Sequence, residues 1–112
     1  MFEAPLSPEK LEAVLTSLRI GLEHLLGDQL EAVYLYGSQA RGDARPDSDI
    51  DILVVLKGEF NYFDLIERTV DLTADLSLEY DIVISTAFTS YESFINLQTP
   101  FLMNVRREGV QI

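Results

Sequence analysis

The chain has 112 residues, no cysteine and a formal net charge of −11, from 19 acidic against 8 basic residues. That length suits one domain, and a hydrophobic content of 47% can fill its core without a staple. The composition excludes disulfides and Cys-based zinc sites, and so acidic a surface repels polynucleotides, which proteins grip with Lys and Arg.

In chain order, Ser7-Pro8 reads as a helix N-cap and first helical position. Leu11, Val14, Leu15, Leu18, Leu22 and Leu25 follow at helical spacing, and Gly27 ends that helix. Ala32–Tyr36 predicts a short strand, broken by Gly37-Ser38. Segment 39–48 carries Gly42, Pro46 and several charges, which predicts a loop, or a short helix and then a loop. Residues 50–56 form a nearly unbroken apolar run, the pattern of a strand covered on both faces. Asn61 or Asp64 opens a second long helix, with Leu65, Ile66, Val70 and Leu76 inward. Tyr80–Ser85 predicts a third strand. Thr89 and Glu92 fit a capping box for a helix over 90–98. Thr99-Pro100 starts another helix that Gly109 closes. The order α-β-β-α-β-α-α places the chain in the α/β (α+β) class, with a small sheet and one domain over residues 1–112. No apolar run approaches the roughly 20 residues of a membrane helix. The N-terminal MFEAPLSPEK lacks the basic-then-apolar pattern of a signal peptide. A cytoplasmic protein without membrane or direct nucleic-acid contact is the expectation.

The stretch GSQARGDARPDSDIDILVV, residues 37–55, carries the chemistry. Side chains two apart on a strand share a face, so Asp49 and Asp51 point the same way, with Cα atoms roughly 6.5 Å apart. Two neighbouring carboxylates repel, and a divalent cation removes that cost. Mg²⁺ takes carboxylate oxygens and completes its shell with water and substrate phosphates. Taken alone, such a pair also fits two solvated acids at a strand's start. Gly37 lets the backbone approach a ligand closely, and Ser38 at a helix N-terminus suits a phosphate. Asp81, in LEYDIVIS, opens the predicted third strand. If that strand lies beside 50–56, its carboxylate joins the other two, and three carboxylates can hold two cations for in-line phosphoryl chemistry. A solvated strand-end acid is the alternative for Asp81. Arg41, and more weakly Arg45, are candidates for pairing with phosphate, or else balance charge in an acidic loop. His24 reads as a helix-surface or packing residue. Tyr34, Tyr36, Phe60, Tyr62, Phe63 and Phe101 read as core and interface.

YGSQARGDARPDSDIDILVV resembles the signature of the polymerase-β-like nucleotidyltransferase superfamily, and GS-x-ARG and SD-x-D are closest to its minimal, MNT-type members. Asp81 falls where that family has its third metal-binding acid, and FLMNVRREGVQI is similar to the family's ending. Gln39 departs from the pattern, since many relatives carry Arg there. The resemblance implies a mixed sheet flanked by helices with the site on one edge. It implies transfer of AMP from ATP, with Asp49, Asp51 and Asp81 as catalytic and metal-binding residues holding two Mg²⁺. Gly37, Ser38 and Arg41 would bind the nucleotide. Minimal members are commonly paired with a HEPN ribonuclease toxin, so the resemblance implies an antitoxin that adenylylates a toxin tyrosine, in a hetero-oligomer. A small-molecule nucleotidyltransferase of the aminoglycoside kind and a non-catalytic binding module are the alternatives.

Overall fold

A computed structural model describes residues 6–46 and 48–112. The first five residues, part of the stretch read for a leader, and residue 47 of the predicted loop lie outside it. Helix α1 runs Pro8–Leu26, and the Ser7 hydroxyl accepts the Lys10 N–H at 3.1 Å as its cap. Its buried stripe is Val14, Leu18, Leu22 and Leu26. The last step is four residues, so Leu26 turns inward and the predicted Leu25 is left 38% exposed. Strand β1 (Leu30–Tyr36) leads into a single turn of helix, α2 (Ser38–Arg41), and after the loop comes β2 (Ile50–Leu56).

Helix α3 (Tyr62–Tyr80) is capped by the Asn61 side chain, which accepts the Asp64 N–H at 3.0 Å. Leu65 and Leu76 are buried as expected, but Val70 is 48% exposed. Thr69 takes the inward position instead, its hydroxyl donating to the Leu65 carbonyl at 2.8 Å so that burial leaves no unpaired group. Strand β3 is Ile84–Ser90, displaced toward the C-terminus from the predicted Tyr80–Ser85 because α3 continues through Tyr80. The fourth helix, α4 (Tyr91–Asn96), is capped by Ser90 rather than Thr89, which ends up buried in β3. Helix α5 (Pro100–Glu108) has the expected Thr99 cap. A two-residue strand, β4 (Val110–Gln111), follows; two residues are too few to show a period in sequence.

The four strands form one mixed sheet in the order β3-β2-β1-β4. β1 runs antiparallel to β2 and β4, and β3 runs parallel to β2. Every residue of β2 except Asp51 is buried, as two-sided cover requires. On one face, Ile50, Ile52, Val54 and Leu56 pack with the inner stripes of α1 and α3. On the other, Leu53 and Val55 pack with Phe94, Leu102 and Val105 of α4 and α5. Each such side chain stabilises the fold by ~1.5–3 kcal/mol on burial. The strand that carries the acid is therefore the most firmly fixed element of the molecule. Arg106 ties the second layer together: its guanidinium donates to the carbonyls of Phe94 and of Leu97, the latter at 2.9 Å, which satisfies the C-terminal end of α4.

Candidate active site

Asp51 lies in register between Tyr36 of β1 and Ser85 of β3. Side chains in such a row share one face. Here it is the face covered by α4 and α5, while Ile50 points into the opposite core. Asp49 sits just ahead of β2, and its Oδ2 accepts a hydrogen bond from the Ser85 hydroxyl at 3.2 Å. Partial burial and then the charge of Asp49 raise the pKa of Asp51, against a lowering by Arg41. Burial and Asp51 together also raise that of the Tyr36 hydroxyl. The two acids are thus close enough to feel each other's charge, as their spacing predicts.

Gly37 joins β1 to α2 with φ 75° and ψ −157°, a region essentially confined to glycine. A Cβ at this position would lie 2.3 Å from Oδ2 of Asp51. The missing side chain of Gly37 thus leaves room for the carboxylate of Asp51. Ser38 opens α2, and its carbonyl receives the N–H groups of Gly42 and Asp43 at 3.0 and 3.1 Å. The N–H groups of Ala40 and Arg41 both bond to the Gly37 carbonyl at 3.1 Å, which leaves those of Ser38 and Gln39 at the start of the turn without a carbonyl behind them. Arg41, at the other end of α2, is held at Nε by Asp43 at 3.2 Å and at Nη1 by Glu108 of α5 at 3.3 Å. These two carboxylates raise its pKa further. Arg45 contributes its backbone to a turn: its N–H donates to the Ser48 hydroxyl at 2.8 Å, and the Ser48 N–H donates back to its carbonyl at 3.0 Å. Between α2 and α5 lies a cleft of about 240 Å³ lined by Tyr36, Gly37, Arg41, Phe101, Asn104, Val105 and Glu108. Tyr36 and Phe101 meet edge to face across it at 5.3 Å. Tyr34 stacks on Phe94 within the core at 4.9 Å, and His24 is exposed on α1.

Asp81 is the correction. It lies on no strand but follows the last residue of α3 with φ 53° and ψ 55°. Its N–H and that of Ile82 both bond to the Ser77 carbonyl, the usual left-handed close of a helix. Asp tolerates that conformation, so the helix stops there, exposed, and β3 starts three residues later. Among the described residues, no three His, Cys, Asp or Glu side chains gather closely enough to share a metal ion. The three-carboxylate arrangement is therefore not assembled, and the position beside Asp51 on β3 belongs to Ser85. Beyond the cap, Ile82 and Ile84 pack against the core and Val83 is 59% exposed. Ser85 and Glu108 went unnoticed in sequence: the first is revealed only by strand register, the second only by the docking of α5.

Comparison with known proteins agrees with this architecture. The family model described as polymerase β, nucleotidyltransferase, matches residues 22–109. A protein adenylyltransferase, MntA, from Thermococcus cleftensis is 33% identical over 87 residues, covering 78% of this chain and 86% of that protein. Among solved structures, a toxin–antitoxin complex with AMP-PNP superposes with a TM-score of 0.63 at 21% identity, over 86% of this chain and 69% of the other. A tri-AMPylated Shewanella oneidensis HEPN toxin in complex with its MNT antitoxin gives a TM-score of 0.52 at 18% identity, over 92% and 70%. At these identities the two structures speak for the fold, and the matched model speaks for descent: the chain belongs to the polymerase β nucleotidyltransferase family.

Proposed function

We propose that this nucleotidyltransferase moves AMP from ATP to a hydroxyl of a protein partner, with Mg²⁺ at Asp49 and Asp51. We further propose that the partner is a HEPN-type toxin modified on tyrosine, which makes the chain its antitoxin. The observation that carries the reading is the carboxylate pair at the start of β2, pressed against the Gly37 turn. An all-oxygen donor set of two mutually repelling carboxylates and a hydroxyl fits a hard divalent cation. When bound, the cation neutralises the triphosphate and the departing pyrophosphate. Ser38 and the leading N–H groups of α2 bind phosphate oxygens, and Arg41 faces them from the cleft. β2, buried on both sides, holds Asp51, and the Ser85 hydroxyl holds Asp49, so that catalysis rests on positioning and charge. The adenylyltransferase name of the Thermococcus relative supports the transfer, and the MNT–HEPN assembly of the Shewanella structure supports the partner.

The test is transfer of labelled AMP from ATP to a co-expressed HEPN-type partner in the presence of Mg²⁺. Asp49→Asn and Asp51→Asn should each lower the rate by orders of magnitude. Wild-type rates in either variant would refute the metal assignment, and label that never reaches the partner would refute the acceptor.

A further inference from the structure

Parallel pairing places Ser85 directly beside Asp51, and the bond from the Ile50 N–H to the Val83 carbonyl at 2.8 Å fixes that register at the mouth of the strands. The Ser85 hydroxyl reaches across to Oδ2 of Asp49 at 3.2 Å. The third oxygen beside the carboxylate pair is thus a neutral hydroxyl, while Asp81 caps α3 on the exposed surface. We infer that Ser85 is a positioning residue for Asp49, holding its carboxylate for a divalent cation.

The inference rests on the metal reading above and takes it further. A hydroxyl that donates to Oδ2 holds the Asp49 carboxylate in one rotamer and leaves Oδ1 to the cation. Its own lone pairs remain available, so the hydroxyl can also turn a neutral oxygen toward the cation.

Mn²⁺ serves as the probe, since its free ion is counted directly by electron paramagnetic resonance. The whole chain is titrated with Mn²⁺, alone and with a non-hydrolysable ATP analogue. Ser85→Ala is expected to weaken the affinity by roughly tenfold, the lower end of what loss of an outer-sphere partner costs. Ser85→Thr keeps the hydroxyl on a β-favouring residue and should restore wild-type affinity, which a merely structural role of the serine would not predict. Unchanged affinity in Ser85→Ala while Asp51→Asn abolishes binding would overturn the inference and leave the metal assignment standing. Mn²⁺ binding that survives Asp51→Asn would remove the metal assignment itself, and this inference with it.

Discussion

Gly37→Ala is the most informative single substitution, because the structure assigns it two separable costs. The backbone at φ 75° and ψ −157° is open to glycine and strained for any L-residue by about 1–3 kcal/mol. The added Cβ would also stand 2.3 Å from the Asp51 carboxylate, which must swing away from its rotamer at about 0.5–1.5 kcal/mol. Together these predict a loss of about 1.5–4.5 kcal/mol. At roughly 4 °C per kcal/mol for a domain near this size, Tm should fall by about 6–18 °C. Urea unfolding with chelator present, so that no cation contributes, measures the difference. The same substitution in an Asp51→Ala background should cost less by the contact share alone, leaving about 1–3 kcal/mol. Equal costs in the two backgrounds would refute the contact, and no cost in either would refute the backbone assignment.

The remaining predictions concern the acids. Asp51 has its pKa raised above the ordinary 3.8, so its ionisation works against folding. With chelator present, Asp51→Asn and wild type should be equally stable below pH 3.8, and the variant should become the more stable as pH rises through the raised pKa. A wild type that gains on the variant over that range in urea melts would contradict the repulsion. Asp81 places a negative charge at the negative end of α3, so Asp81→Asn, still suited to the left-handed cap, should stabilise by about 0.3–1 kcal/mol and leave AMP transfer within a few-fold of wild type. Collapse of transfer in that variant would put Asp81 back in the site.

The sequence carried the site's central pair because its signal is local. Asp49 and Asp51 lie two apart at the head of an apolar run, so the two-residue period of a strand already sets them side by side. The bounds of β2 were equally legible, since Ile50 to Leu56 is apolar except for the acid itself. The third position was not. Whether Asp81 or Ser85 stands beside Asp51 depends on where α3 stops, and Leu76 to Tyr80 suits a helix as well as the approach to a strand. Six consecutive residues, Tyr80 to Ser85, read as a strand because an apolar run follows the acid, but α3 takes Tyr80 and closes on Asp81, and β3 starts only at Ile84. The caps show the same limit on a smaller scale: Ser90 and Thr89 are both good caps, and only the extent of β3 decides between them. Glu108 lies 67 residues from Arg41, beyond the reach of any local pattern.

The charge around Arg41 bears on the proposed role of the cation. A triphosphate is a polyanion, and several of the guanidiniums here are already engaged. Arg68 and Arg106 are bonded to main-chain carbonyls, and Arg19 pairs with Glu23 on α1. Arg41 pairs with Asp43 and Glu108 and its charge acts on Asp51, and Arg107 pairs with Glu108 as well. Arg41 is already shared between two of them at 3.2 and 3.3 Å, longer than the 2.7–2.9 Å of a strong charge-assisted bond. Such long, exposed, single-point contacts yield readily to a phosphate that can take the guanidinium two-pronged. They do not by themselves reverse the sign of the local field. A divalent cation held by Asp49 and Asp51 would do so. The repulsion between the two carboxylates, which works against the fold, would then help to draw the cation in, and the cation the nucleotide.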